Sequence, residues 1–179
     1  RGTKLSYMPF VMKAVVAGLK QHPMLNAQLD EDNEEIVVRG DYNIGVATAT
    51  EAGLMVPVVK NVDRKGMLDI AEEMNELVGK ARDRSIAREE MQGGTFSITN
   101  FGAIGGEYAT PIINYPESAI LGLGAIKDKP RVIDGEVVPR KVMTLSLSID
   151  HRVIDGAEAA QFVNTVKEYL QTIELLILE

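Results

Sequence analysis

Hydrophobic and polar positions recur along this chain with two periods, near 3.6 and near 2, and so divide it into helices and strands. Tyr7 to Gln21 carries Phe10, Ala14 and Ala17, flanked by Met8 and Val15, on one helical stripe. His22-Pro23 ends that helix, because a residue before proline avoids helical backbone angles, and His22 is read as a helix-end residue. Residues 29–34 read as an acidic surface turn and Glu35 to Val38 as a short edge strand. Asn43 to Thr50 alternates loosely, and Glu51-Ala52-Gly53 turns it into the apolar run Leu54 to Val59. Pro57 within that run asks for an edge position or a bulge. Met67 to Arg82 is a second amphipathic helix, with Ile70, Met74, Leu77 and Val78 inward and Glu72, Glu73, Glu76 and Lys80 outward.

The second half is richer in strands. Thr95 to Asn100 places Phe96 and Ile98 on one face and Thr95, Ser97 and Thr99 on the other. Ser118 to Ile126 and Lys129 to Ile133 follow, with Asp134-Gly135 as a hairpin turn into Glu136 to Val138. Lys141 to Asp150 is one strand in which Leu145, Leu147 and Ile149 alternate with Ser146, Ser148 and Asp150. A helix runs from Ala157 to Leu170. The apolar end, Leu175-Leu176-Ile177-Leu178, is expected to pack on its own domain or to dock into a neighbouring subunit.

Chemistry concentrates where the strand ending at Asp150 meets that last helix. His151 stands at the junction, and a neutral imidazole there is a candidate general base. Asp155 could fix the loop that aims the ring, directly or through Arg152. The structural alternative is a capping box, with Asp155 as N-cap and Glu158 at the third helical position. Thr99 ends a strand just before the glycine-rich Phe101 to Gly106, where a hydroxyl could donate to a developing oxyanion. The commoner outcome is a row of solvent-facing hydroxyls. Neither this loop nor Gly122 to Lys127 has the spacing of a dinucleotide fingerprint.

Composition narrows the classes. With 179 residues, a formal charge of −7 and no basic cluster, one ordinary domain is expected and a nucleic-acid partner is not. No apolar run reaches the length of a membrane span, and none reads as a signal peptide. The sequence holds no cysteine, which removes disulfides, thiol nucleophiles and thiolate metal sites, and its two histidines lack clustered partners for a metal.

Several stretches, in order and across essentially the whole chain, carry a family resemblance. They are Tyr42-Asn43-Ile44-Gly45-Val46-Ala47, Gly53 to Val58, Gly94 to Gly102, Thr110 to Asn114 and Asp150-His151-Arg152-Val153-Ile154-Asp155-Gly156. Together they resemble the catalytic domain of the dihydrolipoamide acyltransferases of 2-oxo-acid dehydrogenase complexes. The last motif alone is shared with chloramphenicol acetyltransferase and other CoA-dependent acyltransferases. The resemblance implies an α/β fold of the chloramphenicol-acetyltransferase type, a mixed sheet flanked by helices, in a trimer that builds a larger shell. It implies that residues 1–179 form the catalytic domain, without the lipoyl and subunit-binding domains and without the domain's first segment.

By that resemblance His151 takes the thiol proton of coenzyme A, Thr99 of a neighbouring subunit supports the oxyanion, and Asp155 holds the histidine loop in shape. Coenzyme A and a lipoyl group carried on a separate domain are the substrates. The decarboxylase and dihydrolipoamide dehydrogenase components are partners, a cytoplasmic location is expected, and no metal is. Lys129 is read as a surface lysine, not a lipoyl site. Two other readings stay open at this point: an assembly scaffold with lost activity, and a small-molecule O-acetyltransferase.

Overall fold

In the computed structural model, residues 5–177 are described, and their core lies between three helices and one face of a mixed sheet. The elements run α1 (Met8–Gln21), β1 (Ala27–Asp30), β2 (Glu35–Val38), β3 (Ile44–Thr50), β4 (Gly53–Met55), β5 (Val58–Val59) and α2 (Met67–Arg82). They continue with β6 (Phe96–Asn100), β7 (Ala119–Leu123), β8 (Lys127–Ile133), β9 (Glu136–Val142), β10 (Leu145–Ile149) and α3 (Gly156–Gln171). The main sheet has six strands in the order β10-β7-β6-β3-β4, with β5 also pairing to β3. β3, β6 and β7 are mutually parallel, while β10 is antiparallel to β7. β1–β2 and β8–β9 form two separate hairpins.

Strand register explains how the sheet splits into two chemically different faces. Val46, Ile98, Leu121 and Leu147 align in one row, and Ile44, Phe96, Ala119 and Ile149 supply the next. These side chains meet the helices, with Phe162 of α3 packed against Phe96 at 5.6 Å between ring centroids. Burying each such large apolar side chain is worth roughly 1.5–3 kcal/mol, enough to fix which face turns inward. The opposite face carries Gly45, Ser97, Ala47, Thr99, Gly122, Ser146 and Ser148. Ile120 and Val58, level with Ser97 and Gly45, share that face and are buried.

Helix α1 is buried nearly all round, from Met8 to Leu19, and includes Lys13. The expected stripe was therefore too narrow, because α1 packs against both α2 and α3. The predicted turn at 29–34 is shorter than expected, since Leu29 and Asp30 belong to β1, which the sequence pattern did not announce. The expected strand from Lys141 to Asp150 is two, broken between Val142 and Leu145, and the strand from Ser118 stops at Leu123. Pro57 breaks the run Leu54–Val59 in two, although both pieces still pair with β3. The Asp134-Gly135 turn is as predicted: φ is +52° and +84° at the two positions, which the Asp-Gly pair accepts readily. At the C-terminal end Leu176 is buried in this chain's own core; Leu178 lies outside the described residues.

Candidate active site

His151 sits on an exposed turn between β10 and α3, and the turn is fixed on all sides of it. The Asp150 amide donates to the Ser118 carbonyl at 2.8 Å, tying the turn to the start of β7. Val153 and Ile154, 8% and 1% exposed, anchor it from beneath, and both their amides donate to the Asp150 carbonyl at 3.0 Å. The Arg152 guanidinium is divided between Asp150 at 2.7 Å and Glu31 at 2.6 Å. Arg152 holds the Asp150 carboxyl below the usual carboxylate range. Among the described residues no hydrogen bond engages the His151 ring, so a rigid base presents a free imidazole to solvent.

Asp155 takes the place that the capping alternative gave it. Its carboxylate accepts from the amides of Ala157 at 2.8 Å and Glu158 at 2.9 Å, closing the N-terminus of α3. The expected link to the histidine loop through Arg152 does not form, because Arg152 is taken by Asp150 and Glu31. Whatever Asp155 does for His151 in this structure passes through the helix start. Loss of an N-cap costs about 0.5–2 kcal/mol. Asp155→Ala is therefore expected to lower stability by that amount in denaturant unfolding, whereas Asp155→Asn, which can still accept both amides, leaves it within a few tenths.

Thr99 lies on the small-residue face of the sheet, half-buried, its backbone paired to Ala47 on one side and Gly122 on the other. Among the described residues its hydroxyl has no hydrogen-bond partner. Its neighbours on the strand, Thr95 and Ser97, are fully buried instead of solvent-facing: Thr95 Oγ1 accepts from the Asn43 amide at 3.1 Å, and Ser97 Oγ lies where a Cβ added at Gly45 would come within 2.6 Å of it. Phe101 and Pro111 lie so close over Gly122 that an added Cβ there would come within 2.6 Å of the phenyl ring. Glu107 clamps the same segment to β8 through Lys127 at 2.6 Å and Lys129 at 2.5 Å, and these lysines hold its carboxyl down at about 2. Lys129 also lies 5.5 Å over the Tyr108 ring, so it is engaged at this junction.

One chain does not bring His151 and Thr99 together. Thr99 is level with Gly122 of β7, whereas Ile149 is level with Ala119, and His151 lies beyond Ile149. At about 3.3 Å per residue and 4.8 Å per strand, their backbones are roughly 16 Å apart along the strands and 10 Å across them. The two groups belong to opposite ends of the sheet. His22, the other histidine, is the helix-end residue expected: it bonds Thr165 at 3.0 Å and meets Phe162 edge-on.

Glu117 gave no sequence signal beyond a lone acid before an apolar run. It is 5% exposed, accepts from Asn114 Nδ2 at 3.2 Å, and has one oxygen, Oε2, buried without a partner. Burial pushes its carboxyl up to about 7, against the opposing pull of Ser97 and Asn114.

The model of the family described as 2-oxoacid dehydrogenases acyltransferase (catalytic domain) matches residues 1–178. This chain belongs to that acyltransferase family. A family relative, the dihydrolipoyllysine-residue acetyltransferase component of the pyruvate dehydrogenase complex of Staphylococcus epidermidis, is 50% identical over 179 residues. The match takes all of this chain and 41% of that protein, so the chain spans well under half of its curated relative.

Among solved members of the family, an Azotobacter vinelandii dihydrolipoamide acetyltransferase superposes with a TM-score of 0.94 at 41% identity, over 98% of this chain and 72% of that one. It was studied for the roles of one serine, one histidine and one asparagine in its catalytic mechanism. The cubic core of a pyruvate dehydrogenase multienzyme complex fits equally well, with a TM-score of 0.94 at 41% identity over the same shares of the two chains. Chloramphenicol acetyltransferase, at 16% identity and a TM-score of 0.59 over 92% of this chain and 78% of that one, shares the fold alone. The expected mixed sheet flanked by helices is thus the fold observed.

Proposed function

We propose that this chain transfers an acyl group, acetyl in the first instance, from S-acyl-dihydrolipoamide to coenzyme A, with His151 as general base and Thr99 of a neighbouring copy as oxyanion donor. The observation that carries this reading is a family match along the whole chain combined with a free imidazole on a rigid strand-end turn. In the Azotobacter enzyme the serine, histidine and asparagine are spaced along the sequence as Thr99, His151 and Asp155 are here. That correspondence supports the three assignments. It also carries two substitutions, threonine for serine, which keeps the hydroxyl, and aspartate for asparagine, which keeps the helix cap.

The chemistry follows from those groups. The imidazole takes the thiol proton of coenzyme A, and the thiolate adds to the thioester carbonyl. The Thr99 hydroxyl donates to the oxygen that gains charge. As the tetrahedral adduct collapses, the carbon–sulfur bond to dihydrolipoamide breaks and the departing thiolate takes the proton held on His151.

A neighbouring copy is needed because one chain keeps Thr99 and His151 apart. Large apolar side chains stand exposed on the segment over the Thr99 face, with Ile104 and Ile112 each at 90%, and such patches mark protein contacts. We read the assembly as a trimer within a larger shell of the complex, working in the cytoplasm. There it would meet a lipoyl domain and the decarboxylase and dihydrolipoamide dehydrogenase components. The test is the rate of acyl transfer from acetyl-dihydrolipoamide to coenzyme A, with oligomer size recorded on the same sample. Turnover by an oligomer supports the reading; a well-formed oligomer with no turnover on acetyl, succinyl or branched-chain donors makes the chain a scaffold and overturns it.

A further inference from the structure

We propose that Glu117 is a positioning residue whose buried carboxyl, bonded to Asn114 and set beside Ser97, locks in its protonated form the strand junction from which the His151 turn hangs. The inference rests on the role proposed above for His151.

Geometry places Glu117 at that junction. Its amide donates to the Asn114 carbonyl at 3.0 Å, its backbone bridges to Gln28 of β1, and the next residue, Ser118, gives its carbonyl to the Asp150 amide at 2.8 Å. The side chain turns inward beneath Gly94, where an added Cβ would lie 2.7 Å from Oε1, so the carboxyl fills space that only a glycine leaves open. Two buried polar atoms without a geometrically complete bond lie just before β7 and on the adjacent β6, Glu117 Oε2 and Ser97 Oγ. Ser97 is near enough to act on the carboxyl, and a small rotation of either group completes one bond between them.

No cation offsets a charge here. Among the described residues, the charged groups on the packed elements have other partners. Arg152 binds Asp150 and Glu31, Lys60 bonds the Glu89 carbonyl, Asp30 accepts from Asn33, and Asp41 is paired with Arg39. His151 points into solvent. Two neutral donors do not offset the cost of burying a carboxylate, so the neutral acid is the form this site favours.

The sign of the effect on stability follows. The folded chain holds the Glu117 proton up to about 7 while the unfolded chain releases it near 4.5. Stability from this group is therefore full below the lower value, declines as pH rises between the two, and levels off above the upper one.

The experiment measures the pH dependence of kcat and of thermal unfolding for the intact oligomer of wild type, Glu117→Gln and Glu117→Ala. Glu117→Gln, a permanently neutral isostere, is expected to abolish the decline in unfolding temperature between pH 4.5 and about 7 and to remove the fall in kcat that Glu117 ionisation causes as pH rises through about 7. Glu117→Ala is expected to lose about tenfold or more in kcat across the range. Ser97→Ala removes a hydroxyl whose nearness favours ionisation, so it is expected to move both steps to higher pH and serves if the glutamine variant fails to assemble. Identical pH profiles for wild type and these variants, or a glutamine variant as impaired as alanine at every pH, would overturn the proposal. If His151→Ala kept wild-type turnover, the positioning role would fall with the His151 reading. The unfolding profile alone would still decide whether Glu117 holds its proton.

Discussion

His151→Ala is expected to slow acyl transfer to coenzyme A by roughly 10²–10⁴-fold while leaving the oligomer and its stability unchanged. The imidazole is exposed and carries no structural hydrogen bond among the described residues, so its removal takes nothing from the fold. Everything that shapes the turn lies elsewhere, in the Asp150 amide on Ser118, the Arg152 bridge and the buried Val153 and Ile154. A lost positioned base should appear in kcat and in kcat/KM alike, because the proton transfer belongs to the transition state and not to ground-state binding. Equal turnover by the two proteins at saturating coenzyme A would remove His151 from the mechanism.

For Thr99→Ala the expected loss is about 10²–10³-fold in kcat, equivalent to roughly 3–4 kcal/mol of oxyanion stabilisation. The strand survives this change, since Thr99 is held in the sheet by its backbone pairing to β3 and β7. Thr99→Ser keeps the hydroxyl and is expected to retain most of the rate. An unchanged kcat with a raised KM would make Thr99 a binding residue instead.

The separation of the two groups in one chain adds a sharper test. Mixed oligomers of His151→Ala and Thr99→Ala subunits, each inactive alone, are expected to recover up to about a quarter of wild-type activity, because random pairing restores one intact site in four. Failure to recover any activity in oligomers shown to be mixed would place the two residues in the same subunit's site, or place one of them outside it.

Much of this was legible in the linear sequence, for a physical reason that differs by element. Helix α2 and the alternation in β6 and β10 were readable because one face of each meets the core, and burial imposes a period on the residues that meet it. The Asp134-Gly135 turn was readable because its backbone angles suit few other pairs. His151 and Asp155 were readable as a pair at a strand-to-helix junction, and the spacing by itself allowed both a catalytic use and a helix cap. The cap is what the structure shows for Asp155.

What the sequence could not hold was anything that depends on neighbours distant along the chain. Helix α1 read as a single stripe of Phe10, Ala14 and Ala17, whereas helices on two sides bury it nearly all round. Thr95 and Ser97 looked like solvent-facing hydroxyls, but the Asn43 amide engages the first and close packing against Gly45 encloses the second. Glu117 drew no reading from the sequence, and only the convergence of Gly94, Ser97 and Asn114 around it shows it to be a buried acid. The distance between Thr99 and His151 is likewise a product of strand order: β10 runs antiparallel to the strands that carry Thr99, and so delivers its histidine to the far end of the sheet. Local periodicity and turn chemistry determined the elements and the candidate groups; strand order and packing between distant segments decided which groups are buried, which are free, and which can meet only across two copies of the chain.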